Sequence, residues 1–180
     1  LFENCIQLAT APELPATTLA DNCYARMFYN TKLTKAPDLP ATQLSERCYY
    51  EMFRSCTSLT SAPALPARTL QEACYSGMFQ DCTGLSEAPK LKATTLVTSC
   101  YENMFSGCSN LNSVTMLATN VEAESCLNNW LNEVSASGSV NVAEGMTDLV
   151  TNASGGIPSG WTVKVKSDDV LPGYGYVEGY

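Results

Sequence analysis

The stretch Cys74-Tyr75-Ser76-Gly77-Met78-Phe79-Gln80-Asp81-Cys82 is the unit on which this chain is built, because variants of it recur along most of the sequence. Its Cys-Tyr pair is repeated at Cys23, Cys48 and Cys100, and Cys126 begins a weaker copy. Successive copies are separated by 25, 26, 26 and 26 residues. A period of this length is typical of a repeat protein whose units stack on one another.

A complete unit reads Cys-Tyr-x-x-Met-Phe-x-x-Cys-x-x-Leu-x-x-Ala-Pro-x-Leu-Pro-Ala-x-x-Leu. The units cover residues 23–47, 48–73, 74–99 and 100–125, and a half-unit at 1–22 precedes them. One unit cannot bury its apolar side chains alone, so we predict stacked repeats over 1–125. Because the chain opens in mid-repeat, we also expect more repeats or another domain upstream of Leu1.

The first half of each unit has a spacing of four between its apolar residues. Cys74, Met78 and Cys82 share one stripe, and Tyr75 and Phe79 form a second pair four residues apart. This spacing predicts an apolar face on a helix of two turns. Such a short helix is unstable alone in water, so we expect the neighbouring units to hold it.

The second half of each unit predicts a short strand. In 59–67, the apolar residues Leu59, Ala62 and Leu65 fall at every third position, and prolines occupy 63 and 66. This spacing suits a few strand residues that run into a polyproline-like or bulged segment. Proline lacks the N–H that a ladder requires, which keeps the strand short. The predicted fold class is therefore α/β, with alternating short strands and short helices.

The repeat changes after Cys126, where Trp130 and Leu131 stand at the Met-Phe positions. The segments 139–142 and 161–166 alternate in polarity and are predicted to be strands. We interpret 126–166 as a C-terminal cap that contains β-structure. The glycine-rich, acidic tail 167–180 is predicted to be weakly ordered.

Composition excludes several classes of function. The chain of 180 residues carries a net charge of −8 and has a pI near 4.4, which disfavours nucleic acid as a partner. No apolar run reaches the roughly 20 residues of a membrane-spanning helix. The sequence contains no histidine, so the commonest general base and the Ser-His and Cys-His nucleophiles are missing. We predict that the protein is not an enzyme and uses no cofactor.

The nine cysteines do not form a metal-binding pattern. Neighbouring cysteines are never closer than eight residues, so no Cys-x-x-Cys pair exists, and no histidine could complete a mixed zinc site. We therefore predict no metal site and interpret the cysteines as reduced, buried small hydrophobes.

Ligand binding is left to the positions that the repeat does not conserve. In stacked repeats, the outward residues of successive strands form a continuous surface, which is concave in a solenoid. We name the predicted residues of this surface the binding strip: Thr10, Glu13, Lys35, Asp38, Ser61, Ala64, Glu87, Lys90, Ser113 and Met116. A purely solvated face is the alternative, because the strip lacks aromatic anchors. A rival site would use Trp161, Tyr174, Tyr176 and Tyr180 as stacking surfaces.

The Met-Phe-x-x-Cys-x-x-Leu unit resembles the BspA-like, or Treponema-type, leucine-rich repeats. Surface proteins of gut Bacteroidetes also share the Cys-Leu-x-x-Trp-Leu coil at 126–131 and the Gly-Ile-Pro-x-Gly-Trp segment at 156–161. The resemblance implies a right-handed α/β solenoid that is secreted or anchored at the bacterial cell surface and serves adhesion or ligand binding. It implies no catalytic residues.

The predicted function is a non-catalytic recognition or adhesion module at the cell surface. Its partner would be a protein or a glycan, including molecules derived from a host. Two alternatives remain open at this point: a structural spacer without a ligand, and a non-catalytic domain of a larger surface enzyme.

Overall fold

The computed structural model of the protein describes residues 1–146 and 156–166. Within these ranges it contains three strands: β1 (Ser113–Met116), β2 (Gly138–Ala143) and β3 (Trp161–Lys166). They form a parallel sheet in the order β1-β2-β3. The strands predicted at 139–142 and 161–166 are therefore confirmed.

The earlier repeats contain isolated parallel bridges in place of strands. One bridge joins Lys35 to Ser61, and another joins Glu87 to Ser113. Each of these repeats carries Ala-Pro just after the bridge position, and a proline cannot donate to a ladder. The short strand predicted for each repeat is therefore absent from these repeats, whose pairing is limited to single bridges. Where Val114-Thr115 replaces Ala-Pro, the backbone pairs continuously and forms β1.

The short helices predicted for each repeat are wrong, since no residue in 1–146 or 156–166 is helical. The stretch 74–82 is instead a run of consecutive turns. Every second amide donates to the carbonyl three residues earlier, as from Ser76 to Ala73 at 3.1 Å. The amides between them donate to the next repeat, as from Tyr75 to Cys100 at 3.2 Å. In an α-helix, every amide after the first four would donate within the segment, to the carbonyl four residues earlier.

Residues with positive φ explain why these runs resemble a helix in sequence. Ala73, Gly77 and Asp81 have φ values of 50°, 61° and 62°. A left-handed residue at every fourth position is incompatible with a right-handed helix. It still repeats the side-chain direction after four residues, so Met78 and its stripe are fully buried. The corresponding residues of the other runs are Asn22, Arg26 and Asn30; Arg47, Glu51 and Ser55; Ser99, Asn103 and Gly107; and Ser125, Asn129 and Glu133.

The core consists of side-chain ladders that run from repeat to repeat. Stacked phenylalanine rings have centroid separations of 5.6–5.7 Å, and stacked tyrosine rings have separations of 5.7–6.2 Å. Such contacts stabilise beyond the area they bury, by about 0.5–1.5 kcal/mol per pair. The ladders are Phe2, Phe28, Phe53, Phe79 and Phe105, and Tyr24, Tyr49, Tyr75 and Tyr101.

The last turn run covers the ends of these ladders. Trp130, fully buried, takes the methionine position, and its carbonyl accepts a hydrogen bond from Phe105 N at 3.0 Å. Leu127 and Leu131, also buried, take the tyrosine and phenylalanine positions. The strands β2 and β3 then continue the parallel pairing of the repeats.

The three strands do not test two further predictions. The division into 1–125, 126–166 and 167–180 stays a prediction, and the tail lies outside the described residues. The right-handed winding implied by the resemblance also stays a prediction. No segment in the described ranges forms a helix that is long and apolar enough to cross a membrane.

Candidate functional site

The strand face is the surface on which binding-strip residues of neighbouring repeats lie side by side. Parallel bridges put Lys35 beside Ser61 and Glu87 beside Ser113. Backbones paired in this way lie about 4.8 Å apart, so side chains from neighbouring repeats can contact one ligand. Lys35, Ser61 and Glu87 are exposed and Ser113 is half-buried. The other predicted members that are exposed are Thr10, Glu13, Asp38, Ala64 and Lys90.

Met116 does not belong to this surface, and its predicted exposure is wrong. Its side chain is fully buried, and its backbone pairs with Leu91. The fourth repeat is one residue shorter between Ser113 and Met116 than its predecessor is between Glu87 and Leu91. Met116 therefore takes the core position of Leu91. A constant spacing of 26 residues would instead align Met116 with the exposed Lys90.

The face extends onto the C-terminal strands through three residues that the sequence reasoning missed. In the parallel register, Thr115 lies beside Asn141, and Asn141 lies beside Lys164. The Asn141 Nδ2 donates to Thr115 Oγ1 at 3.3 Å. Lys164 is exposed and the other two are half-buried. Strand alternation in 161–166 was the signal available in the sequence, since it places Lys164 opposite to the apolar side chains.

The N-terminal part of the strip contains a groove of about 280 Å³. Two equivalent segments of neighbouring repeats, 11–15 and 37–40, line it. Its apolar lining comes from Ala11, Leu14 and four prolines, and its charged lining consists of Glu13 and Asp38. Both acidic residues are exposed. The groove thus brings together two members of the strip that are 25 residues apart in the sequence.

Trp161, the tryptophan of the rival aromatic site, packs within the fold and does not form an exposed stacking surface. Trp161 is only 8% exposed, and its Nε1 donates to Ser135 O at 2.7 Å. Its ring and its hydrogen-bond donor are therefore used within the fold. The other proposed members, Tyr174, Tyr176 and Tyr180, lie outside the described residues.

The cysteines are free, and seven of the nine are buried, with Cys5 and Cys23 exposed. Burial raises the pKa of Cys48 to about 11 and that of Cys108 to about 12, from an ordinary value of 9.0. The thiol is the stable form at neutral pH in both cases, whereas a nucleophile or a metal ligand must be a thiolate. Among the residues described, no group of three or more Cys, Asp or Glu side chains is arranged to hold a metal.

One set of cysteines links neighbouring repeats through its thiols. Cys82 Sγ donates to Phe53 O of the preceding repeat at 3.0 Å. Cys56 and Cys108 make the same contact with the equivalent phenylalanine carbonyls, each at 3.0 Å. These weak hydrogen bonds give the buried thiols a structural role.

A cluster of charged residues on the turn runs is joined by ion pairs. Glu51 has a side chain that is only 8% exposed, and its Oε1 accepts from Arg54 Nη1 at 2.6 Å. Its Oε2 lies 3.5 Å from Arg26 Nη1. The Arg26 guanidinium also lies over the Tyr29 ring, with Cζ 4.5 Å from the centroid. The two arginines are thus occupied by partners within the fold, unlike the acidic residues of the groove.

Comparison with known families gave one finding. The family model described as "BspA type Leucine rich repeat region" matches residues 1–89 and 25–147, with six copies of the repeat. Comparison with curated proteins and with solved structures gave no significant match.

Proposed function

Since the chain belongs to the BspA-type leucine-rich repeat family, we propose that it is a non-catalytic recognition module whose strand face binds a protein or a glycan. The family consists in general of non-enzymatic repeats that mediate interactions. Placement at a bacterial cell surface or in the secreted fraction, and a role in adhesion, are part of the proposal and rest on the family resemblance.

The observation that carries this proposal is the alignment of variable, exposed side chains across neighbouring repeats. The inward positions are filled by the same residue types in each repeat, whereas the exposed series Lys35, Ser61 and Glu87 changes in charge and size. A surface of this kind can be adapted to a ligand without altering the core. No comparable freedom exists at the buried ladder positions.

A binding screen with a charge-exchanged variant tests the proposal. The wild-type chain is applied to a glycan array and to a panel of extracellular proteins, and each positive partner is measured again by surface plasmon resonance. Lys35→Glu combined with Glu87→Lys keeps the net charge but reverses the pattern on the strip. We expect this variant to weaken binding by about tenfold or more, as for a central interface residue.

The matched control exchanges charges away from the strip. Arg68→Glu combined with Glu72→Lys alters two exposed residues and also keeps the net charge. Binding should be unchanged in this control. If the wild type binds nothing in the screen, or if the strip variant binds as well as the control, the strand face is not a recognition surface and a spacer role is favoured.

A further inference from the structure

The groove between segments 11–15 and 37–40 has an unusual balance of hydrogen-bonding groups. Pro12, Pro15, Pro37 and Pro40 supply half of its eight lining residues. Proline has no N–H, so these residues offer carbonyl acceptors but no backbone donors. The charged lining adds acceptors only, because ionised carboxylates do not donate. Backbone N–H donors are present only at the four other lining residues, so acceptors outnumber donors in the groove and a ligand that presents donors finds more partners.

The negative charge of the groove independently favours a cationic ligand, which also presents hydrogen-bond donors. Glu13 and Asp38 occupy equivalent positions in neighbouring repeats and line the same cavity. No basic side chain in the described part of the chain forms an ion pair with either carboxylate. Two neighbouring carboxylates that lack a counter-charge attract a cation. The groove is thus complementary to a positive group.

The apolar walls of the groove favour a cation with an aliphatic stem over a metal ion. Proline rings and the Leu14 side chain form apolar surfaces beside the carboxylates. A lysine or arginine side chain has an aliphatic stem that packs on apolar surface and a terminal cation that carries only donors. A hydrated metal ion would use the carboxylates but would leave the apolar walls without a partner.

We propose that this groove binds a lysine or arginine side chain of a protein partner, with the stem against the prolines and the cation between Glu13 and Asp38. This inference rests on the proposed function, because it assigns one part of the strand face to one kind of partner. It also predicts that the two proline segments act together, so neither acidic residue suffices alone.

A titration with small probes tests the groove directly. The full chain, labelled with ¹⁵N, is titrated with Nα-acetyl-lysine methylamide and followed by amide chemical shifts. We expect saturable changes confined to the groove segments, with a Kd on the order of 1–10 mM, as for a ligand of this size. Glu13→Gln combined with Asp38→Asn should weaken binding by about fivefold or more, which corresponds to losing one or two exposed ion pairs.

Two controls separate the contributions. Nα-acetyl-norleucine methylamide has a similar stem without the charge and should bind at least about fivefold more weakly than the lysine probe. The variant with Glu72→Gln and Glu124→Gln removes two exposed acidic residues elsewhere and should bind the lysine probe as the wild type does. Equal shifts with both probes, shifts spread over the whole acidic surface, or no shifts would each overturn the proposal.

Failure of the groove assignment can be distinguished from failure of the proposed function. The variant of Lys35 and Glu87 leaves the groove intact, whereas the variant of Glu13 and Asp38 leaves those two residues intact. If a partner from the screen depends on Lys35 and Glu87 while the lysine probe gives no shift, strand-face recognition stands and the groove assignment falls.

Discussion

At the residue scale, the left-handed positions of the turn runs place a demand on individual side chains. Gly107 has a φ of 77°, and a Cβ at this position would collide with the Asp81 carboxylate and lie 3.3 Å from its Cα. Glycine tolerates the positive φ and avoids the collision with Asp81, because it lacks a Cβ. At most other left-handed positions, a residue with a side chain accepts the strain in return for hydrogen bonds to the next repeat.

We therefore predict that Gly107→Ala lowers the free energy of unfolding by about 1–3 kcal/mol. Urea denaturation followed by circular dichroism measures the change. Gly145→Ala is the matched control, because Gly145 has a φ of 88° but no atom of the described residues within 4 Å of a built Cβ. The control should lose less stability. Equal losses in the two variants would show that contact with Asp81 contributes nothing.

At the element scale, the parallel ladder depends on a close approach at the start of β2. A Cβ on Gly138 would lie 2.6 Å from Asn112 O and 2.6 Å from Trp161 Cε2. The same tryptophan anchors β3 through its hydrogen bond to Ser135. The contact thus joins the last repeat to β2 and β3 at one point.

We expect Gly138→Ala to displace the Trp161 ring and to destabilise the chain by about 1–3 kcal/mol, the usual range for overpacking. Iodide quenching of tryptophan fluorescence should increase, and the amides of β3 should exchange faster with solvent. Ser139→Ala removes a half-buried hydroxyl from the adjacent residue and should leave both readouts close to wild type. Unchanged quenching in Gly138→Ala would contradict this account.

The elements were only partly predictable, and the reason lies in specific residues. The period and burial of Met78 and Phe79 follow from their repetition, and both side chains are fully buried. The turn conformation was mistaken for a helix because both geometries repeat side chains at a spacing of about four. Asn103 and Gly107 were the available signal, since asparagine and glycine tolerate positive φ better than other residues.

The exposure of the binding-strip residues was predictable to the extent that the repeat spacing stayed constant. Lys35, Ser61 and Glu87 are exposed as expected. Met116 was misplaced because a single missing residue changes which side chain faces the core. The groove itself could not be found from sequence, because it arises from two proline segments that become neighbours only when the repeats stack.

At the scale of the whole molecule, hydrogen bonds and ring stacking join each repeat to its neighbours, so buried groups are protected by the complete stack. Seven thiols are buried within it, and burial raises the pKa of Cys100 to about 12. A thiol with a raised pKa reacts slowly at neutral pH, since the thiolate is the reactive species. The reactivity of the buried thiols should therefore measure the unfolding of the stacked repeats.

We predict that a thiol reagent such as Ellman's reagent modifies two cysteines rapidly in the folded protein and about nine after denaturation, since Cys5 and Cys23 are exposed. Cys5→Ser combined with Cys23→Ser should abolish the rapid phase and leave the slow phase unchanged. Rapid modification of more than two thiols without denaturant would contradict a cooperative stack. Fewer than nine thiols after denaturation without reductant would show that disulfides exist.

The bonding between repeats has a consequence for how such a chain can evolve. Each turn run donates to the following run through the same alternating amides, and each phenylalanine ring stacks on the equivalent rings of adjacent repeats. Duplication or loss of one whole unit therefore preserves the hydrogen bonds and ring stacks of the junction, whereas pairs such as Asp81 and Gly107 must still match. Selection can lengthen or shorten the strand face one repeat at a time, whereas a change in length within a repeat, as before Met116, changes which residues face the core.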